Sequence, residues 1–484
     1  MTRRLHTSLE LLQQTPDTSS NSHYHGITLM KFHTTSEITG SSAQYDTIII
    51  GGGPAGLGPL VAASKSGQLN RVLDKGICVI EKGPSTGGGA FNSYSINSDT
   101  PGGVMLECFS GHNDRSLQPL RRSQPAQVLE TNDSSFVPLK LIGKFLDGLG
   151  SCIEETVNNH PASDIFVNSE VSKVEMDRDG HYNVEVRRTI LGSGKENIQL
   201  TAKKIIMAPG GSQNHLRALS TRLFNTQTRL SDYPEKTTVQ SDSVLKNDIH
   251  FQQLLSKIDD ISPVNVVVIG SSHSAFASVL FLLKQLRRKS ENVKIKILYR
   301  TEPKIYYPSA VDAHADGFHQ FDKNDVCIAT NRIFRFGGLR MESRDLLRSI
   351  HGLNTECTSP PVELVKFTDE PELQRLLSDS TVIISALGYQ PDYVPIIDDN
   401  GSEIIPGTSD GKYVDHECRL LRNDGQIIRN CYGVGLASGY VPDNGGEPSF
   451  RGQTNSIWIY QNPAGNILLE KILADQIEVS RAVQ

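Results

Sequence analysis

Two stretches of the chain share one pattern of hydrophobic and polar positions. Residues 45–50 (YDTIII) and 264–269 (VNVVVI) are short apolar runs, and each is followed at once by glycine. Such runs are typical of buried parallel strands. A helix-like segment comes next in both stretches, and then a further apolar run, at residues 77–80 and 293–299. The pattern predicts two strand–helix–strand units and an α/β fold.

The turn after the first strand carries a glycine fingerprint. In residues 51–56 (GGGPAG), which we call the first cradle, glycines occupy the three positions of a G-x-G-x-x-G pattern. Gly51 would make the tight turn, Gly53 would let the backbone approach a pyrophosphate, and Gly56 would let the next helix pack closely. The phosphates would lie at the start of that helix, where amides and the helix dipole favour negative charge. The first cradle is therefore predicted to bind a dinucleotide.

An acidic residue follows at the distance that this motif requires. The strand at residues 77–80 ends at Glu81, where dinucleotide-binding folds use a carboxylate to bind a ribose hydroxyl. The alternative is an ordinary strand–helix–strand unit with a solvated glutamate. The predicted first site contains the three glycines together with Pro54, Ala55, Glu81 and Lys82.

The second unit repeats the design with two glycines replaced. In residues 270–275 (GSSHSA), which we call the second cradle, Gly270 is kept, while Ser272 and Ala275 stand at the second and third glycine positions. Serine and alanine are small enough for a phosphate turn, although Ser272 narrows the approach. The helix that follows is predicted over residues 275–286.

Two further residues give the second unit its chemistry. His273 would cover a phosphate or a nicotinamide, and a structural histidine at a helix start is an equal alternative. The strand at residues 293–299 ends at Arg300 rather than at an acid, and an arginine there suits the 2′-phosphate of NADP. The predicted second site contains Gly270, Ser272, His273, Ser274 and Arg300, assisted by Thr301 and Lys304.

A glycine-rich segment follows the first unit. Residues 85–103 (STGGGAFNSYSINSDTPGG) have neither helical nor strand periodicity. Their glycines predict backbone that passes close to a flat or phosphorylated group. The alternative is a long surface loop.

Composition narrows the class of protein. The chain has 484 residues, of which 37% are hydrophobic and 21% charged, and a formal net charge of −6. This balance gives no general attraction to nucleic acid or to anionic membranes, and no apolar run is long enough for a membrane span. The seven cysteines stand at least 13 positions apart, so no local dithiol is predicted. The histidines form no ligand-spaced cluster, so no metal site is predicted.

The N-terminal residues differ from the rest of the chain. Residues 1–44 are rich in Ser, Thr and His and are predicted to form a disordered leader. Arg3 and Arg4 permit a mitochondrial transit peptide, but three acidic residues oppose it. A cytoplasmic location is therefore predicted, with a mitochondrial one as the alternative. Met30 is an alternative start, and whether the first 29 residues are translated or cleaved stays open.

Two strand-end turns add a resemblance to a known family. Residues 208–210 (APG) and 386–389 (ALGY) bracket the second cradle. This layout resembles the flavoproteins with two dinucleotide-binding domains, which include disulfide reductases and class B flavin monooxygenases. Their crossing strands end in similar A-T-G turns. Residues 425–439 (GQIIRNCYGVGLASG) resemble the last FAD strand of that family, with Leu436 where members often have Asp.

The resemblance implies a domain layout. An FAD-binding Rossmann-like domain would comprise residues 45–235 and a return segment with a C-terminal helix, residues 391–484. An inserted NAD(P)-binding Rossmann-like domain would comprise residues 236–390. Gly388 and Gly435, at the ends of two strands, would also contact the cofactors.

Within this superfamily the chain is most similar to the ornithine and lysine N-hydroxylases. The segment ISALGYQPDYVP resembles their A-T-G-Y motif, with Leu387 in place of threonine. The dithiol of disulfide reductases and the F-x-G-x-x-x-H linker of Baeyer-Villiger enzymes are missing. The resemblance implies an oxidoreductase in which NADPH reduces FAD. The reduced flavin would then activate dioxygen and transfer one oxygen atom to an amine or another small nucleophile.

Two other functions stay open. One is a reductase that passes electrons to a protein or a quinone. The other, suggested by the degenerate second cradle, is an FAD-binding regulatory protein without nicotinamide turnover. An oligomer is also left open.

Since the flavin would perform the difficult step, no catalytic residue is predicted. Substrate identity is likewise open, and the best candidates for substrate-lining segments are residues 336–353 (FGGLRMESRDLLRSIHGL) and 448–461 (PSFRGQTNSIWIYQ). Arg340, Arg344 and Arg451 could each bind a carboxylate through two hydrogen bonds. The alternative is that they pair with neighbouring acids such as Glu342 and Asp345.

Overall fold

A computed structural model describes residues 43–474, apart from residues 112–114, 191–193, 235, 259–262, 287–292, 354–360, 409–410, 437, 443–447 and 450–455. Residues 1–42 of the predicted leader, Met30 included, lie outside the described residues. The first strand begins at Ala43, slightly before the predicted position. No described helix is long and apolar enough to cross a bilayer.

The first sheet has ten strands and a parallel centre. The first-cradle strand lies at this centre, between parallel neighbours on both sides. On one side the sheet continues as an antiparallel meander of three strands, Ser169–Met176, Tyr182–Ile190 and Gly194–Met207. The strand Ile427–Gly433 then pairs parallel with the last of these three. The strands are Ala43–Ile50, Ile77–Ile80, Asp164–Phe166, Ser169–Met176, Tyr182–Ile190, Gly194–Met207, Ile396–Ile397, Glu403–Ile404, Arg419–Leu421 and Ile427–Gly433.

The second sheet has five strands, all parallel. In spatial order they are Val362–Lys366, Val293–Tyr299, Val264–Ile269, Val382–Ser385 and Thr237–Gln240. The middle strand is apolar at every position except Asn265, because both of its faces are covered. Val266 and Val268 pack into one core with Phe276, while Val267 and Ile269 pack into another on the opposite face.

Helices cover the two sheets. They are Gly58–Lys65, Leu69–Asp74, Gln118–Arg121, Gln124–Thr131, Leu139–Asn158, His215–Ser220, Ser241–Lys246, Ile249–Ile258, His273–Leu286, Ala310–Ala315, Met341–Ile350, Glu370–Ser378, Ile457–Gln461 and Pro463–Leu473. The helix predicted over residues 275–286 begins two residues earlier, at His273. The predicted strands at residues 77–80, 264–269 and 293–299 have the predicted bounds.

The two chain segments that connect the sheets lie side by side. Gly211–Ser212, which leaves the first sheet, pairs antiparallel with Gln390–Pro391, which returns to it. Asp392 strengthens the pair, since its backbone N–H donates to the Gly210 carbonyl at 3.1 Å and its carboxylate accepts from the Ser212 hydroxyl at 2.6 Å. The chain therefore enters and leaves the second sheet at one place. A further small ribbon joins Lys304–Ile305 to Gly338–Leu339 in parallel.

Candidate cofactor and substrate site

The first cradle needs glycine at its first and third positions for steric reasons. Gly51 has φ +103°, and a Cβ there would lie 2.1 Å from the carbonyl oxygen of Ala208, at the end of a neighbouring strand. A Cβ on Gly56 would lie 1.9 Å from the Gly51 carbonyl oxygen. The backbone N–H of Gly51 donates to the Ile80 carbonyl at 2.8 Å, which fixes the turn on the sheet. No other residue type fits these two positions without movement.

The middle glycine is open. The nearest heavy atom to a Cβ built on Gly53 is the Gly89 Cα at 4.0 Å. The turn thus leaves its exposed side free for a group that approaches the backbone. Pro54 is half-buried at the rim of this opening, and Ala55 is buried at the start of the helical turn.

The return segment closes on the first cradle. Gly435 has φ +119°, and a Cβ there would lie 3.2 Å from the Ala55 Cβ. Next to it, the Ser438 hydroxyl is buried and has no hydrogen-bond partner among the described residues. An orphaned hydroxyl and an open glycine turn fit a bound cofactor such as FAD at this place.

Glu81 lies against the cradle backbone. Its carboxylate accepts from the Gly52 N–H at 2.7 Å and from the Gly83 N–H at 2.6 Å. Each carboxylate oxygen keeps acceptor capacity beyond one such bond, so Glu81 can hold the turn and accept from a ribose hydroxyl. Lys82 is exposed.

The glycine-rich segment after the first unit packs tightly against helices at several of its glycines. A Cβ on Gly87 would lie 1.9 Å from the Leu146 carbonyl oxygen, and the Gly88 N–H donates to the Asp147 carboxylate at 3.0 Å. A Cβ on Gly102 would likewise meet the Asn132 carbonyl oxygen at 2.9 Å. These glycines permit close contact with helices, and the predicted approach to a flat or phosphorylated group stays a prediction. The segment also contains two short 3₁₀ helices, Gly89–Ser93 and Gly102–Phe109.

The second cradle repeats the first in its backbone. Gly270 has φ +120°, and a Cβ there would lie 2.4 Å from the carbonyl oxygen of Ala386, again a strand-end alanine. At the third position Ala275 is fully buried, so this helix lies far enough away to accept a methyl group. Ser272 is exposed at the position of the open glycine, and Ser274 is half-buried.

Arg300 stands exposed after the strand beside the second cradle. The cradle and the segment after that strand are joined, because the Ser271 hydroxyl donates to the Thr301 carbonyl at 2.9 Å. The Lys304 ammonium lies 5.1 Å from the ring centroid of Phe334. Of the three predicted groups, Thr301 is thus joined to the second cradle by a described hydrogen bond.

His273 makes the contacts of a structural histidine. Its Nε2 accepts from the Arg340 backbone N–H at 3.0 Å and lies 3.5 Å from the Asp99 carboxylate. Burial lowers the pKa of His273, which the Asp99 charge opposes and the Arg340 charge reinforces. A neutral ring is required for Nε2 to act as acceptor. His273 thus links the second cradle to two other segments and covers no open surface on its Nε2 side.

Gly388 is exposed at the strand-end turn, and the next residue belongs to a cluster that sequence reasoning missed. The hydroxyls of Tyr94 and Tyr389 each donate to the same Asp242 carboxylate oxygen at 2.7 Å, and the Lys246 ammonium lies 2.6 Å from the other oxygen. Burial raises the pKa of both tyrosines above the usual value. The cluster ties the segment after the first cradle to the second sheet.

The three arginine candidates for substrate binding differ in what the structure shows of their surroundings. Arg344 is paired with Asp345 at 3.2 Å, as the alternative interpretation expected. Arg340 has no carboxylate within ion-pair distance in the described part of the chain, and its guanidinium lies 4.5 Å from the Tyr306 ring centroid. Arg451 lies outside the described residues. Arg335, which the sequence did not single out, stacks against Phe336 and Trp458.

Comparisons with known proteins place this geometry in a class. No protein-family model matches the chain. The cadaverine monooxygenase of desferrioxamine biosynthesis from Erwinia amylovora, solved with FAD, is 16% identical, with a TM-score of 0.54 over 89% of this chain and 95% of that one. Ornithine hydroxylase from Pseudomonas aeruginosa is 12% identical, with a TM-score of 0.50 over 89% of this chain and all (100%) of that one.

The chain therefore shares the fold of these two monooxygenases. In sequence it is similar to the CMP-5′-(3-aminopropyl)phosphonate hydroxylase of Streptomyces rubellomurinus, with 29% identity over 449 residues, which cover 89% of this chain and 98% of that protein. The predicted α/β fold with two Rossmann-like domains is confirmed. The predicted enzyme class, an FAD-dependent monooxygenase that uses NADPH, agrees with these relatives.

Proposed function

We propose that this protein is an FAD- and NADPH-dependent monooxygenase that hydroxylates the nitrogen of a primary amine. One atom of dioxygen enters an N–H bond and gives a hydroxylamine. The other oxygen atom leaves as water. NADPH supplies the two electrons as a hydride, and solvent supplies one proton. Bound FAD supplies the oxygen activation in this reaction.

One observation carries the proposal. In both units the first cradle glycine lies against the carbonyl of an alanine at the end of a neighbouring strand, Ala208 for Gly51 and Ala386 for Gly270. Ligands of open α/β sheets bind outside the carboxyl ends of the strands. Two such turns support two dinucleotides in one chain, which is the arrangement needed to pass a hydride from nicotinamide to flavin.

The residues of each cradle suit a different dinucleotide. The first combines an open glycine, the Glu81 carboxylate and the buried Ser438 hydroxyl, and we assign it to FAD. The second has the exposed Arg300 in place of an acid, which suits the additional phosphate of NADPH. Predicted contacts at Lys82, Gly388 and Gly435 remain part of this proposal.

Hydrogen bonds between the two cradle units would order the site and limit access of water. Tyr94, Tyr389 and Asp242 hold the segment after the first cradle against the second sheet through buried hydrogen bonds. His273 anchors the Arg340 segment to the second cradle. These contacts would hold the two cofactor sites in register, and excluding water protects a reactive oxygen donor.

An amine is the substrate class that the relatives favour. Their names specify cadaverine, ornithine and an aminopropyl phosphonate ester of CMP, and each of these carries a primary amine. The proposed partners are thus a small amine and dioxygen. We further propose a cytoplasmic location, which rests on the weak transit signal of the leader.

Absorption spectroscopy of the purified protein tests the proposal. NADPH without oxygen should bleach the flavin band faster than NADH, and air should restore it with hydroxylamine formation when an amine is present. Restoration without hydroxylamine for any amine tried, together with electron transfer to a quinone, would replace the monooxygenase by a reductase. A flavin that neither nicotinamide bleaches would indicate a regulatory protein.

A further inference from the structure

We infer that Arg335, Arg340 and Trp458 form a subsite for a phosphate or phosphonate group that the substrate amine carries next to a flat ring. The inference rests on the proposed function and specifies its substrate class. Three observations support it: the position of these side chains, the N–H donors that remain available on the arginines, and the aromatic rings around them.

The subsite lies between the two cradles. On one side, the Arg340 backbone N–H donates to His273 of the second cradle at 3.0 Å. On the other, the Arg335 guanidinium lies 5.4 Å from the Trp458 ring centroid. Trp458 belongs to the helix Ile457–Gln461, which lies against the helix after the first cradle so closely that a Cβ on Gly58 would meet the Tyr460 carbonyl oxygen at 2.3 Å. A molecule bound at the two arginines would therefore lie between the elements that carry the two cradles.

The two guanidinium groups are not neutralised by nearby acids. In the described ranges no carboxylate lies within ion-pair distance of Arg335 or Arg340, although most other arginines at comparable depth, such as Arg348 and Arg419, have one. Both side chains are only half-buried. The Arg340 guanidinium contacts the Arg335 backbone carbonyl, so both cations belong to one short segment. Cations without carboxylates attract an anion, and a phospho group with more than one negative charge would satisfy both.

Their hydrogen-bond donors are also largely available. In the described structure Arg335 donates from one nitrogen to the Cys327 sulfur at 3.3 Å, and Arg340 donates from one nitrogen to the Arg335 carbonyl. The faces of the two planar groups, by contrast, are covered by rings, Phe336 at 4.8 Å for Arg335 and Tyr306 at 4.5 Å for Arg340. Stacking fixes the orientation of a guanidinium without using its N–H edge, which suits bidentate binding of phosphate oxygens.

Aromatic side chains from both sheets meet at this place. Phe336 lies in the segment after the second cradle, yet it packs against the core of the first sheet together with Trp458. Ring faces beside arginines bind a flat group such as a nucleobase by stacking. A nucleotide-linked amine therefore fits the subsite better than a free diamine, which offers neither a negative charge nor a ring.

Tryptophan fluorescence gives a direct binding measurement, because Trp458 is the only tryptophan of the chain. The probes are CMP-5′-(3-aminopropyl)phosphonate, 3-aminopropylphosphonate and cadaverine, added to the FAD-loaded protein. We expect the nucleotide to change the emission at the lowest concentration and cadaverine to leave it unchanged. A Trp458→Phe variant keeps a ring and serves as the optical blank.

Steady-state kinetics of Arg335→Gln and Arg340→Gln test the anion contact. Each should raise KM for the nucleotide amine by roughly 10- to 100-fold, the effect of losing a charged hydrogen bond. Little change is expected in kcat or in KM for NADPH. Arg375→Gln is the matched control, since Arg375 is an exposed arginine paired with Glu372 at 2.7 Å and belongs to neither cradle nor the subsite.

The outcomes separate this inference from the proposed function. Hydroxylation of cadaverine without binding of either phosphonate would overturn the subsite and leave the monooxygenase intact. Binding of the nucleotide amine that Arg335→Gln weakens, without hydroxylation of any amine, would support the subsite and overturn the proposed reaction. A raised KM for NADPH in the arginine variants, with unchanged substrate KM, would assign these residues to the cofactor and overturn the inference.

Discussion

The two cradles share the first glycine of the motif and differ at its second and third glycine positions. At the first position the demand is the same, because a Cβ would lie 2.1 Å from Ala208 O in one turn and 2.4 Å from Ala386 O in the other. Both glycines also have φ above +100°. This part of the motif serves the sheet itself, since the turn must pass a neighbouring strand end whatever the cradle binds.

The third position shows where the two units depart. In the first cradle a methyl group on Gly56 would meet the Gly51 carbonyl at 1.9 Å, whereas the second cradle holds the methyl group of Ala275 in a fully buried place. The second helix therefore lies slightly farther from its turn. The absence of glycine at this position therefore reflects a larger distance between the helix and the turn. It does not by itself remove a dinucleotide site.

The largest expected effect comes from the first position. Gly51→Ala combines a positive φ with a backbone clash and should cost roughly 3 to 5 kcal/mol of unfolding free energy, with loss of bound FAD. Gly270→Ala should cost a similar amount, but its soluble fraction should retain FAD. Urea unfolding and flavin content per protein measure both effects.

A control separates strain from clash in these variants. Gly425 has φ +83° with no atom within 4 Å of its Cβ position, so Gly425→Ala should cost only about 1 kcal/mol. Equal losses in all three variants would mean that backbone strain alone sets the requirement for glycine.

The next largest effect on stability concerns the third glycine position of the two cradles. Gly56→Ala must displace the helix or the turn, and we expect a loss of roughly 2 to 3 kcal/mol. The reciprocal change Ala275→Gly removes one buried methyl and adds chain entropy, so about 1 kcal/mol is expected. Urea unfolding checks both values, and a Gly56→Ala variant as stable as Ala275→Gly would contradict the difference in helix spacing.

A smaller effect concerns the residue that ends each unit, Glu81 in the first and Arg300 in the second. Arg300→Gln should raise KM for NADPH roughly tenfold, because a charge-assisted contact to the 2′-phosphate is lost. KM for NADH, which lacks that phosphate, should stay the same. Initial rates of flavin reduction with both nucleotides measure this, and an equal change for the two would refute the assignment of Arg300.

The smallest effect is a pH dependence at His273. Burial lowers its pKa in the folded protein below the ordinary value of 6.5, so the unfolded chain binds the proton more readily. Stability should therefore be fully present above that value and should fall as the pH drops below it toward the folded pKa. His273→Gln should flatten this part of the curve of unfolding free energy against pH. An unchanged slope between wild type and variant would show that another group titrates there.

The sequence predicted the elements around each cradle because glycine and β-branched residues act locally. The strand at residues 264–269 and its neighbour at 293–299 have the predicted bounds, and Gly51 and Gly270 make the predicted turns. His273 was left between two roles, and its bonds to distant segments favour the structural one. Lys304 begins a short strand of its own and its ammonium lies over the Phe334 ring, so its predicted part in the second site stays a prediction.

The contacts between the sheets could not be predicted from the sequence. Tyr94 and Asp242 are 148 residues apart, and neither lies in a periodic pattern or a motif. Arg335 and Trp458 meet only because the segment after the second cradle folds back on the first sheet. One signal was available for the second pair: a single tryptophan in the chain marks a place where a large ring is needed.

The ribbon formed by Gly211–Ser212 and Gln390–Pro391 has an evolutionary consequence. Because the chain departs and returns through adjacent strands, everything between them forms a cassette whose two ends already touch. Such a cassette can be gained, lost or exchanged by recombination without rerouting the host. The part of the chain that would select the electron donor can thus change its ancestry while the part that would hold the flavin keeps its own.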